Sequence, residues 1–181
     1  YNYYENDSYE NAIKSFTKCV DQGSVKVDLY VYRGDSYDKL GKYDQALLDY
    51  DKAIILRGNY YDHNRRGWVH YRKKNLKKAI TDFTSSIAKG NNKSDVYNGR
   101  AWSYYEDNKY SNAITDFNKA IDIFPKYDNA YYGRAFARFD SGNSSGALND
   151  ITKAMKIDGS NSTYFITRGL IFQEMNSLKN A

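Results

Sequence analysis

The sequence has one cysteine, one proline and no long apolar run, and each shortage excludes something. A lone thiol, Cys19, rules out an internal disulfide framework and a multi-thiolate metal site, and it leaves the redox compartment open. A membrane-spanning helix needs about 18 consecutive apolar residues. Here a charge or an amide interrupts every stretch of about ten. No basic leader followed by an apolar stretch opens the sequence. Glycine-rich phosphate loops, nucleophile-elbow sequences and His-Glu-x-x-His are also missing. Carboxylates are plentiful, yet they recur in fixed columns, whereas an active site needs a unique constellation. Neither enzyme activity, a cofactor nor a metal is expected within these residues. The net charge of +5 is too mild to favour nucleic acid and hints only weakly at acidic partners.

What the sequence has in quantity is tyrosine, with 20 Tyr beside 8 Phe and 2 Trp. An apolar ring with a polar tip suits surfaces that are packed on one side and wet on the other, as a thin two-layer helical array requires.

The pattern Tyr-x-x-Ala-Ile/Leu-x-x-Phe/Tyr-x-x-Ala recurs along the chain. Its first alanine falls at Ala12, Ala46, Ala79, Ala113, Ala147 and Ala181, at a spacing of 33 or 34 throughout. Four residues later stand Phe16, Tyr50, Phe83, Phe117 and Ile151. Twelve earlier stand the small residues Gly34, Gly67, Ala101, Ala135 and Gly169, and sixteen earlier Tyr30, His63, Tyr97, Tyr131 and Phe165. Small residues in fixed slots let two helix axes approach, and rings in the neighbouring slots fill the space between. Each unit reads as two amphipathic helices. Tyr97, Ala101, Tyr104 and Tyr105 make one face; the turn residues 106–109 break it; Tyr110, Ala113, Ile114, Phe117, Ala120 and Ile121 make the next, which Phe124-Pro125 ends.

Aromatic–x3–Gly/Ala–x2–Tyr–x8–Ala–x3–Phe/Tyr–x2–Ala with a late proline resembles the tetratricopeptide repeat. Tyr97, Ala101, Tyr104, Ala113, Phe117, Ala120 and Pro125 match it in one unit, although Arg138 takes an aromatic slot in the next. The resemblance implies an all-α, right-handed superhelical solenoid of antiparallel helix pairs. One array would fill residues 1–181: a partial unit at 1–26, full units at 27–59, 60–93, 94–127 and 128–161, and a partial one at 162–181. Residues 1–11 read as the tail of a helix that starts upstream and the last unit stops at Ala181, so the expectation is an excerpt from a longer array or multidomain protein.

Two charged columns run through the repeat. Arg33, Arg66, Arg100 and Arg134 each precede an aspartate by sixteen residues, at Asp49, Asp82, Asp116 and Asp150. Folding the hairpins near Gly41, Lys74, Asn108 and Gly142 brings these to similar heights, which predicts a repeated ion pair rather than a basic ladder for a ligand. His63 and His70 share one side of a helix but occupy slots that are aromatic in other units, so packing is expected rather than metal ligation.

Members of the resembled family line a concave groove with the first helix of each unit. Carried onto this chain, the groove slots are Trp68 and Tyr71, Trp102 and Tyr105, and Phe136 and Phe139, with Asn64, Asn98 and Tyr132 one turn earlier and Arg72 beside them. The implied function is a protein-protein interaction scaffold that takes a peptide or helical segment along this aromatic strip, since rings give contact area at little entropic cost and amides hold a backbone. Rings packed on one another under tight curvature are the alternative. Lysines that grip a terminal carboxylate in some family members are replaced here by aromatics, so that specificity is not carried over. The acid-free run Arg65, Arg66, Arg72, Lys73, Lys74, Lys77 and Lys78 supports a second reading, an array for nucleic acid or another acidic ligand. A regulatory solenoid attached to an enzyme elsewhere is a third. The partner expected is another protein or peptide, of acidic character if the basic run is used, with a second copy of the chain among the candidates. Membrane insertion is not expected, and the cytoplasm is the default compartment.

Overall fold

A computed structural model describes the backbone of residues 8–179 and the side chains of residues 8–176. Residues 1–7 of the stretch 1–11 that reads as a helix tail, and the last repeat marker, Ala181, lie outside the described residues. Among these there are ten helices and no strand: α1 Tyr9–Asp21, α2 Val27–Lys39, α3 Tyr43–Leu56, α4 Tyr60–Arg72, α5 Leu76–Ala88, α6 Ser94–Glu106, α7 Tyr110–Ile123, α8 Asp128–Asp140, α9 Ser144–Ile157 and α10 Ser162–Lys179. They fall into two compact units, residues 1–91 with α1–α5 and residues 92–181 with α6–α10. No described helix is long and apolar enough to cross a membrane.

In the first unit, α4 shows why a helix starts where it does. Asn59 accepts the Asp62 N–H at 3.1 Å, and Asp62 accepts the Asn59 N–H at 3.3 Å, so two otherwise orphaned amides are satisfied. At the far end the N–H of Asn75 reaches the carbonyl of His70 at 2.9 Å. The same closing bond recurs as Lys42 to Tyr37, Lys109 to Tyr104 and Asn143 to Arg138. It requires one left-handed residue per turn, and these are Gly41, Lys74, Asn108 and Gly142, the positions at which the sequence folds the hairpins. Lys74, with φ of 60°, carries a Cβ in that region at a cost of about 1 kcal/mol.

Packing follows the columns. Ala46, Ala79, Ala113 and Ala147 are fully buried, and so are Tyr50, Phe83, Phe117 and Ile151 one turn on. A Cβ on Gly34 would sit 3.0 Å from the Tyr50 ring, and one on Gly67 3.0 Å from that of Phe83. The small column is what lets these rings lie against the facing backbone, each ring contributing about 2–3 kcal/mol of burial.

α10 is the longest of the described helices and runs to Lys179.

Candidate functional site

Four arginines of the first-helix column meet their aspartates. Arg33 donates to Asp49 at 2.7 and 2.8 Å, Arg66 to Asp82 at 2.6 and 2.9 Å, Arg100 to Asp116 at 2.7 and 2.9 Å, and Arg134 to Asp150 at 2.6 and 2.9 Å. Each fork is two-pronged and each carboxylate is buried, so the column is structural. Three of these guanidiniums also lie over the preceding ring of their helix, Tyr30, Tyr97 or Tyr131.

In the first unit the groove slots are polar. Trp68 meets Tyr71 edge-on at 5.8 Å and Phe83 at 5.3 Å, and it lines a cavity of about 270 Å³ with Asp35, Asp38, Tyr50, Arg65 and Arg72. Asn64 stands on the same helix, half-buried. Arg65 donates to Asp35 at 3.0 Å, and Arg72 to both oxygens of Asp38 at 2.9 Å. Burial holds the carboxyls of Asp35 and Asp38 above the usual aspartate range, despite the opposing pull of Arg65 and Arg72. The basic run is therefore largely compensated by acids that lie elsewhere in the sequence. Arg66 also reaches Asp51, Lys73 reaches Asp44, and Lys74 sits 5.5 Å over the Tyr71 ring. Lys77 and Lys78 line a separate cavity of about 450 Å³ with Arg66, His70 and Asp82.

Both histidines turn toward one carboxylate. His63 Nδ1 stands 3.5 Å from Asp82 Oδ1, and His70 Nε2 stands 3.8 Å from Asp82 Oδ2. Burial lowers the pKa of His70, and its Nδ1 has no hydrogen-bond partner among the described residues. Because the folded value lies below the unfolded one, the contribution of His70 to stability is complete above the ordinary value near 6.5 and is lost as pH falls through the folded value. His70→Phe should therefore gain on the parent protein in melting temperature as pH is lowered from 7 to 5. A gap that stays constant across that range would remove His70 from the acid response.

The second unit differs. Trp102 on α6 meets Tyr105, Phe117, Tyr132 and Phe136 at centroid distances of 5.5–6.5 Å. Its indole N–H donates to Asn129 Oδ1 at 2.9 Å, and Asn98 Nδ2 donates to the same oxygen at 3.1 Å. Asn98 is only 3% exposed, so it braces the tryptophan rather than facing solvent. Tyr132 packs edge-on against Phe136 at 4.8 Å and tilts against Tyr164 at 5.0 Å. Phe136 and Phe139 form one wall of an apolar cleft of about 80 Å³, closed by Ala135, Thr167, Leu170 and Ile171. The rings thus pack on one another and still stay half-exposed, which combines the two sequence readings.

Of the residues expected in the groove, Asn64, Trp68, Tyr71 and Arg72 come together in the first unit, and Asn98, Trp102, Tyr105, Tyr132, Phe136 and Phe139 in the second. Sequence reasoning stopped one unit early. Ile166 and Leu170 occupy the same slots around Gly169 and are 63% and 58% exposed, and reading the register onward would have found them. Asp128, Asn129 and Asp140 were also missed. Tyr164 donates to Asp128 at 2.6 Å and Tyr105 to Asp140 at 2.7 Å, and burial followed by these carboxylates raises both phenols above their ordinary range.

Two family profiles match the chain, one described as tetratricopeptide repeat over residues 27–60 and one as TPR repeat over residues 101–142. Among solved structures, MamA 41-end from Desulfovibrio magneticus RS-1 superposes with a TM-score of 0.82 at 21% identity, covering 88% of this chain and 91% of that one. YrrB, described as a TPR protein with an unusual peptide-binding site, gives 0.74 at 17% identity over 91% and 85%. The first TPR of Spaghetti (RPAP3) bound to an HSP90 peptide gives 0.63 at 20% identity over 65% and 94%. With the 34-residue register, the buried alanine column, the repeated hairpin turn and both profile matches in place, this all-α chain carries tetratricopeptide repeats, matched over residues 27–60 and 101–142.

Proposed function

We propose that the chain is a protein-interaction scaffold that holds a peptide segment of another protein on the first-helix face of its second unit. The observation that carries this reading is the apolar cleft beside Phe136 and Phe139, continued by exposed Ile166 and Leu170. Water gains little by wetting such a surface, so covering it is favourable without any rearrangement of the rings. Trp102, fixed by Asn129, supplies a rigid anchor of the kind that dominates interface energetics. YrrB and RPAP3 are described as peptide binders, which agrees with this use of the fold. Asn64, Trp68, Tyr71 and Arg72 form a second, polar face in the first unit, where a guest would compete with Asp35 and Asp38 for the guanidiniums.

A nucleic-acid reading would need the basic run to meet phosphate. Arg65, Arg66, Arg72 and Lys73 instead meet aspartates, which lowers the charge free for counterion release.

Selection from a random peptide library on the immobilised chain tests the proposal. Selected peptides should bind Leu170→Ser and Trp102→Ala at least about tenfold more weakly than the parent, as expected for anchors worth about 1.4 kcal/mol or more. Leu170 is exposed, so its replacement leaves the fold intact. Undiminished binding to both variants would place the site elsewhere.

A further inference from the structure

The face of α8 carries a pattern that the aromatic strip alone does not explain. Asp128, Tyr132, Phe136 and Asp140 follow one another at four-residue steps, so they form a single ridge of acid, ring, ring and acid. Twelve residues at 1.5 Å each separate the two carboxylates by about 18 Å along the helix. Neither is paired with a cation among the described residues. The nearby guanidiniums of Arg134 and Arg138 both turn to Asp150. Each carboxylate is instead held by a phenol of a flanking helix, Asp128 by Tyr164 of α10 and Asp140 by Tyr105 of α6. A phenol donates a hydrogen bond but leaves the negative charge uncompensated. This sets the ridge apart from the other unit's groove, where Asp35 and Asp38 are neutralised by arginine. Between the two acids open the rings and the cleft of about 80 Å³, which at ~30 Å³ per water molecule has room for one small aliphatic side chain.

We infer that this ridge recognises a cationic, aliphatic segment of another protein, with two basic side chains bracketing aliphatic residues in extended conformation. Six residues of extended chain cover about 20 Å and bring the side chain back to the same face, so basic residues six apart reach Asp128 and Asp140 together. The basic ends meet the two carboxylates, and an aliphatic side chain between them enters the cleft beside Phe139. Charge complementarity thus makes the guest of this unit basic, the opposite of the acidic partner that the net charge suggests. The inference rests on the second unit's face being a peptide site, and the test separates the two.

The probes are three labelled peptides with blocked ends, Lys-Ala-Leu-Ala-Leu-Ala-Lys, Ser-Ala-Leu-Ala-Leu-Ala-Ser and Glu-Ala-Leu-Ala-Leu-Ala-Glu, titrated against the whole chain by fluorescence anisotropy. The lysine peptide should bind about tenfold tighter than the serine peptide and the glutamate peptide weakest, with the differences shrinking as salt rises. Asp128→Asn with Asp140→Asn should abolish the preference and leave the serine peptide unchanged. Asp140→Asn alone, at an exposed position, should remove about half of it on a logarithmic scale. Equal affinities for all three peptides, each weakened by Leu170→Ser, would overturn the charge inference and leave the apolar site standing. If no peptide binds, both fall. A preference that survives the double substitution, or self-association in sedimentation that the double substitution dissolves, would also overturn it, the latter by making a second copy the guest.

Discussion

Replacing Gly133 by alanine should lower the melting temperature by roughly 4–8 °C, at about 2–4 °C per kcal/mol for a chain of this length. A Cβ there would overlap Cζ of Phe117 and lie 2.5 Å from its Cε1 and 2.9 Å from Cζ2 of Trp102. Neither ring can withdraw. Phe117 is fully buried, and the Trp102 indole is tied to Asn129. Overpacking of this kind costs about 3 kcal/mol, and the better helix propensity of alanine returns only about 1 kcal/mol. Thermal melts of the variant beside the parent check the sign. A neutral Gly133→Ala would mean that the α7–α8 packing described above is wrong.

Asp150→Ala should be at least as damaging, at about 3 kcal/mol. The carboxylate is 3% exposed and accepts from Arg134 at 2.6 and 2.9 Å and from Arg138 at 2.8 Å. Its loss leaves two guanidiniums facing an emptied, largely dry position, and both retain some solvent access, which holds the cost toward the lower end of the range for a broken buried pair. Asp28→Ala removes an ion pair with Arg57 whose carboxylate is largely in water, and it should cost less than about 1 kcal/mol. Denaturant titration of both variants distinguishes these outcomes. Charge reversal at Asp116 belongs with Asp150 and should lower stability while leaving peptide affinity unchanged. Unchanged melting with lost binding would make the arginine column a ligand site instead.

The repeat made most of the fold legible beforehand. Fixed spacing of Ala46, Ala79, Ala113 and Ala147 located every described hairpin, and the turn positions at Gly41, Lys74, Asn108 and Gly142 followed from it. Pairing of Arg33 with Asp49 and of its three counterparts was legible for the same reason, because both partners lie in one hairpin whose register the columns define. The groove was only half legible. Column positions picked out Trp102, Phe136 and Phe139, but they could not say whether a slot faces water or is braced. Asn98 is enclosed, and the acid-free basic run is met by Asp35, Asp38 and Asp44 of the preceding hairpin.

Sequence by itself determined what is periodic: the helices, their pairing, the buried small column and the ion pair inside each hairpin. A residue's contacts within one repeat are set by local spacing, and local spacing is written in the chain. Tertiary structure alone decided what depends on the neighbouring repeat. It closed Gly133 against Phe117 and Trp102, spent the guanidiniums of the first unit on aspartates, and set Asp128 and Asp140 against phenols, with no cation paired to either among the described residues. Those contacts join side chains of successive repeats, whose separation depends on how one helix pair rests on the next, and no spacing within a single repeat encodes that.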